Sequence, residues 1–266
     1  MKNIAFLLVI SLVFITQTFG QVPEQVDSNF DIYILMGQSN MAGRGKITEE
    51  YQKEANPNIF VLTKDNTWTI AKHPLHFDKP PIVGVGPGLQ FALTILAAKK
   101  TKKIGLVPAA VGGTSINLWK PNAYDASTKT HPFDDAVRRI KEAMQYGVIK
   151  GIIWLQGESD ASPKKSENYD VKFKTMIDSI RVLVNNPKLP VILGELGQYR
   201  PEYVQFNHEV LKTIPSTISN TALVYSKGLV HKGDTIHFDA PSAEMYGKRF
   251  GKAMIKLQKK KNEKIK

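Results

Sequence analysis

Short apolar runs separated by helix-length amphipathic stretches set the tightest limit on how this chain can fold. Residues 32–36, 59–62, 104–107, 151–155, 191–193 and 222–225 are apolar or β-branched, too short for helices and bounded by turn residues or a lysine. Between them, Phe173, Met176, Ile177, Ile180, Leu183 and Val184 recur at helical spacing until Asn186-Pro187 stops the pattern. Val137, Ile140, Ala143 and Met144 form a second stripe, with Asp134 as its cap and Gly147 as its close. Residues 88–98 are apolar nearly all round, as in a buried helix. Pro241 fits the first turn of a last helix that turns Tyr246, Phe250, Ala253, Met254 and Leu257 inward. Strands buried on both faces and alternating with helices predict an α/β fold, a parallel sheet between two helical layers. Segments 64–87 and 114–133 read as long loops, and loops of this length are often functional.

The N-terminus is set apart from this fold. Met1-Lys2-Asn3 is a short basic start, residues 4–15 are apolar except Ser11, and Thr18-Phe19-Gly20 offers small residues at the positions a signal peptidase reads. The apolar run is short for a membrane span. We expect a signal peptide over 1–20 and one domain over 21–266, secreted or periplasmic, without stable membrane insertion after cleavage. The chain contains no cysteine, which excludes disulfides, thiolate metal sites and a lipid-modified N-terminal cysteine. Much of the +12 net charge lies in the tail 256–266. We read that tail as a solvated helix end, where the helix dipole favours lysine, and expect no nucleic-acid partner. The oligomeric state is not legible.

Sites in open parallel sheets lie beyond the carboxyl ends of the strands. Ser39, Gly112-Gly113 and Gln156-Gly157 each fall just past a predicted strand, so they should converge. Ser39 sits in a strand-to-helix turn after Gly37, where a hydroxyl becomes a nucleophile if a base takes its proton. An ordinary capping serine fits the same turn. His237 is the candidate base, with Asp234 three residues earlier to hold its tautomer and stabilise the imidazolium. Gly113 allows close approach of a backbone N–H, and the Gln156 amide is a further candidate donor to an oxyanion. Each glycine also fits a plain tight turn, and Gln156 a plain strand end. His73, His76 and His131 match no trusted metal spacing, so no metal is expected and these histidines are placed around the cleft.

Taken together, the motifs 37–43 (Gly-Gln-Ser-Asn-Met-Ala-Gly), 84–88, 112–115, 154–160 and 234–238 resemble those of the SGNH (GDSL-like) hydrolases. The closer resemblance is to the branch of family 6 carbohydrate esterases and sialate O-acetylesterase domains. It spans nearly the whole of 21–266 in the expected order. It implies a three-layer flavodoxin-like α/β/α hydrolase without metal or cofactor. Ser39 would be the nucleophile, His237 the base and Asp234 its partner. Ser39, Gly113 and Gln156 would form the oxyanion hole, although the wider superfamily has Asn in place of Gln156. Gln38, Asn40 and Glu158 would support the site; Glu158 and Asp160 would brace the nucleophile turn or the rim. Alternatively, Glu158 helps orient His237. Trp119 is expected to stack on a sugar ring.

The implied activity is removal of O-acetyl groups from a carbohydrate. Among the mid-chain arginines Arg138, Arg139, Arg181 and Arg200, none lies inside a catalytic motif. A sialate carboxylate calls for a positioned, bidentate arginine, so acetylated xylan or a similar plant polysaccharide is the expected substrate. The alternatives are sialate O-acetylesterase and an inactive carbohydrate-binding protein on the same scaffold.

Overall fold

Along the first strand, side chains alternate between two buried faces. Ile32, Ile34 and Met36 enter one apolar cluster, while Tyr33 and Leu35 enter another. Such a strand must be covered on both sides, and the computed structural model, which describes residues 26–53, 56–99 and 102–263, shows how. The strands are β1 (Asp27–Gly37), β2 (Ile59–Leu62), β3 (Trp68–Ile70), β4 (Lys103–Ala110), β5 (Gly147–Leu155), β6 (Val191–Gly194) and β7 (Thr221–Val224). They form one sheet in the order β3-β2-β4-β1-β5-β6-β7. Every pairing is parallel except that of β3 with β2.

The helices are α1 (Ser39–Ala42), α2 (Gly88–Ala98), α3 (Pro132–Ala143), α4 (Pro163–Ser166), α5 (Tyr169–Leu183), α6 (Pro201–Phe206), α7 (Ile214–Thr217) and α8 (Ala240–Glu263). On one face of the sheet, Ala136 and Ile140 of α3, Phe173, Met176, Ile177 and Ile180 of α5, Phe206 of α6 and Ile214 of α7 share a core with Trp154 and Leu193. On the other, Phe91 and Ile95 of α2 pack with Tyr246, Phe250 and Met254 of α8 over Leu35 and Leu155. The three-layer α/β/α expectation holds. The residues expected as a signal peptide, 1–20, lie outside the described set. Among the described residues no helix is long and apolar enough to cross a membrane.

Three local expectations are corrected. Segment 64–87 is not all loop: Trp68–Ile70 pairs antiparallel with β2, and the Trp68 ring packs edge-on to Phe30 at 4.9 Å between centroids. Asp134 does not cap α3, which starts at Pro132; its carboxylate instead accepts the Asn122 N–H at 2.9 Å. Gly147 does not close that helix but begins β5.

From β1 the chain passes to β2 and β3 at one edge, returns to β4 beside β1, then crosses to β5 and winds outward through β6 and β7, so the strand order reverses at the carboxyl end of β1. There Gly37 pairs with both Ala110 and Leu155, bringing three strand ends to one level. Gly37 has φ +133°, and a Cβ on it would stand 2.1 Å from the Leu155 carbonyl oxygen. Gly37→Ala should therefore destabilise the fold by about 2–4 kcal/mol, from combined strain and overpacking. Chemical denaturation of the variant checks this.

Candidate active site

The turn after β1 makes Gln38 the residue before α1 and Ser39 its first residue. Its first N–H groups therefore have no partner within the helix. The Ser39 hydroxyl oxygen lies 2.9 Å from Nε2 of His237, and Nδ1 of His237 lies 2.7 Å from Oδ2 of Asp234. A carboxylate only accepts, so Nδ1 carries the imidazole proton and Nε2 is left to accept from the hydroxyl. Ser39 and the Asp234/His237 turn, 198 residues apart from serine to histidine, thus form a Ser–His–Asp line.

The turn that presents His237 is built by Asp234. Its Oδ1 accepts the N–H groups of Ile236 at 2.9 Å and His237 at 2.8 Å. Thr235 between them takes φ +58°, an outlier for a β-branched residue. Arg200 holds it there, donating to the Thr235 carbonyl at 3.3 Å and hydroxyl at 3.2 Å. Burial alone would raise the Asp234 carboxyl. The His237 N–H, the imidazole and the Ile236 N–H more than offset this and hold it well below the usual carboxylate range. Burial pushes the His237 imidazole down; hydrogen bonding and charge from Asp234 oppose that shift, and Arg44 and Lys232 add to it.

Gly113 faces Ser39 across the cleft with φ +88°. Its peptide is held from both sides. Asp78 accepts the Gly112 N–H at 2.8 Å, and the Ser159 hydroxyl donates to the Gly113 carbonyl at 3.0 Å. Among the described residues neither the Ser39 N–H nor the Gly113 N–H has a backbone or side-chain acceptor. Those two donors are free for an oxyanion. The cleft they border measures about 310 Å³ and is lined by Arg44, Lys79, Ile82, Glu158 and Tyr203, among others.

Gln156 does not join them. It is 0 % exposed, and its amide nitrogen lies within reach of the Thr114 carbonyl at 3.0 Å, Asp160 Oδ2 and Gln38 Oε1 at 3.2 Å. Its two amide hydrogens are spent on those acceptors, and its carbonyl accepts from the Tyr169 hydroxyl at 2.7 Å. The side chain braces the wall behind the hole instead of donating into the cleft. Asp160 serves the same wall, accepting the Ile116 N–H at 2.9 Å. Gln38 ties it to the nucleophile turn, with Oε1 also facing the N–H groups of Gly157 and Ser159. Glu158 does not touch His237; its carboxylate accepts from Asn40, whose amide bonds both chain neighbours of His237, so any part Glu158 has in orienting the imidazole is indirect.

Trp119 is corrected as well. It is 2 % exposed, packs edge-on to Trp154 at 5.0 Å and donates its indole N–H to Thr114. It offers no face to a sugar. His73 and His76, within segment 64–87, are buried, burial pushes the pKa of each down to about 4, and neither lines the cleft. His131 packs against Tyr124 at the surface. Among the described residues no group of three or more His, Asp or Glu is placed to hold a metal ion.

Sequence reasoning passed over Arg44, although it directly follows the 37–43 motif. It is buried beside the cleft and pairs with Asp78 at 2.7 Å, while also donating to the Gly43 carbonyl. Asp78, in the long loop, carried no signal of its own. A match to the family model described as carbohydrate esterase, sialic acid-specific acetylesterase covers residues 29–256. The chain belongs to this family. It is 32 % identical over 243 residues to a probable carbohydrate esterase of Arabidopsis thaliana, a match covering 84 % of this chain and 90 % of that protein. A solved structure of an Arabidopsis thaliana protein superposes with a TM-score of 0.76 at 31 % identity, covering 86 % of this chain and 99 % of that one. The crystal structure of NanS superposes with a TM-score of 0.73 at 17 % identity, covering 89 % and 99 %, which speaks to the fold alone.

The Arg44–Asp78 pair yields a direct test. Asp78→Ala leaves a buried guanidinium without its partner and should destabilise the protein by about 3–5 kcal/mol. Arg44→Met with Asp78→Leu should recover much of that loss in thermal melts.

Proposed function

We propose that this carbohydrate esterase is an exported serine esterase that removes O-acetyl groups by a covalent route. The observation that carries the reading is the Ser39–His237–Asp234 line facing two free N–H donors. Nε2 of His237 takes the Ser39 proton as Oγ bonds to the acetyl carbonyl carbon. The carbonyl π electrons move to oxygen, and the Ser39 and Gly113 N–H groups receive the oxyanion. When the tetrahedral centre collapses, the bond to the sugar oxygen breaks and the imidazolium returns the proton to it. Water then attacks the acetyl-serine carbonyl, giving up a proton to His237; the bond from the carbonyl carbon to Oγ breaks, the imidazolium returns the proton to Oγ of Ser39, and the acetic acid released ionises to acetate. The apolar segment over 1–20 supports export.

A neutral acetylated polysaccharide such as xylan remains the favoured substrate, on a revised argument. An arginine does line the cleft, but Asp78 already occupies its fork. One observation favours a second reading, an O-acetylated sialoside: Lys79 also lines the cleft, with its ammonium 3.8 Å from where a Cβ on Gly113 would stand. Acetate release from acetylxylan and from O-acetylated sialosides, measured in parallel, decides between them.

A fluorophosphonate should label Ser39, and Ser39→Ala should be folded and nearly inactive. A label on another serine, located by mass spectrometry, would overturn the assignment. Asp234→Asn should slow turnover by about 10⁴. The imidazole is the base only when neutral, and burial holds its pKa below the free value of 6.5. Activity should therefore rise with pH and level off, with the kcat/KM inflection below 6.5. An inflection above 6.5 contradicts that environment.

A further inference from the structure

We propose that Asn40 is a positioning residue that sets the distance between the Ser39 hydroxyl and the His237 imidazole by clamping both chain neighbours of His237 to the nucleophile turn. The proposal rests on the serine-esterase reading above. The Asn40 amide oxygen accepts the Phe238 N–H at 3.0 Å, and its nitrogen donates to the Ile236 carbonyl at 3.0 Å. Those two peptides flank His237 directly. The remaining amide hydrogen goes to Oε1 of Glu158. Every hydrogen-bonding group of the Asn40 side chain except one acceptor lone pair is therefore spent, and the residue is buried.

The arrangement works as a fixed spacer. Ser39 and Asn40 are consecutive in α1, so whatever holds Asn40 to the 236–238 strip also fixes Oγ relative to Nε2. Asp234 shapes the turn locally, since its hydrogen bonds lie within 234–237 and its ion pair is with Lys232 just before them. It cannot by itself place that turn against α1. Asn40 supplies the link across 196 and 198 residues of sequence. Glu158 fixes the rotamer of Asn40 and belongs to the turn after β5, so the nucleophile, the base and the third strand end meet at one amide. The other oxygen of Glu158 meets no donor among the described residues, which leaves Asn40 as its side-chain partner. Near-attack geometry is sensitive to shifts of this kind, and a misplacement of about 1 Å can slow a reaction by about 10².

Acetate release and Ser39 labelling by the wild type test the esterase reading; variants of Asn40 test the clamp, so the two fail separately. Asn40→Ala should stay folded by circular dichroism and lose kcat on the order of 10²-fold with little change in KM. Its kcat/KM inflection should move up toward an ordinary imidazole, because a loosened turn admits water to a ring whose burial now depresses it. The charged groups facing that ring, Asp234, Arg44 and Lys232, are all retained in the variant. Should Asn40→Ala not fold, Asn40→Ser serves, with the same expected directions.

Glu158→Ala should reproduce part of the kcat loss. Glu158→Gln should recover most of it, since an amide oxygen still accepts from Asn40. Adding Glu158→Ala to Asn40→Ala should lower kcat little further, because a residue acting through Asn40 has nothing left to hold. Wild-type kcat and pH profile in a folded Asn40 variant would overturn the proposal. So would fully additive losses in the double variant accompanied by a raised KM, which would place Glu158 on the substrate instead.

Discussion

The register of three strand ends is the constraint on which the site depends. Gly37 pairs with Ala110 on one side and Leu155 on the other, so β4, β1 and β5 finish at the same height. Ser39, Gly113 and the 156–160 turn follow those ends by a few residues and have little freedom to be elsewhere. The tolerance is tight, because the Leu155 carbonyl occupies the space a Cβ on Gly37 would need. A sheet buried on both faces cannot slip by one residue without turning its apolar side chains over. The same packing that stabilises the core therefore positions the chemistry.

His237 enters differently. It does not lie directly past a strand end but reaches Ser39 from the long segment between β7 and α8. Polar contacts orient it: Asp234 within the turn, Arg200 at the strained Thr235, and Asn40 across to the Ser39 turn. Phe238, the residue after His237, anchors the segment in the core against Tyr199 and Tyr246, and the hydrogen bonds supply the direction of the imidazole that packing cannot. The Gly113 side of the cleft follows the same logic. Asp78 and Ser159 hold the peptides around Gly113 while its N–H stays free. A donor held in advance needs no reorganisation when charge develops.

The misreadings share a cause. Trp119 follows a Gly-Gly motif in a long loop, which reads as a rim position, yet the loop folds its indole against Trp154. Gln156 ends a buried strand next to the cleft, but Thr114 and Asp160 claim its hydrogens. β3 was hidden because three residues are too few for period-two alternation to stand out, and its pairing with β2 depends on a partner rather than on its own pattern. Arg44 escapes the sequence reading because its role depends on whether its fork is free, and Asp78 occupies it from another loop.

The amino-acid sequence by itself determined the layered α/β class and the outline of the main strands and helices, and it singled out Ser39, Asp234 and His237, which the structure brings into one line. Hydrophobic periodicity is written locally, and a nucleophile turn or an Asp-x-x-His turn occupies only a few consecutive residues. Tertiary structure alone decided which donors stay free, which aromatic rings are buried, that Arg44 is paired, and that Asn40 joins the two halves of the site. Each of those is a competition among groups far apart in the chain for the same hydrogen or the same space, and its outcome exists only once the sheet has brought them together.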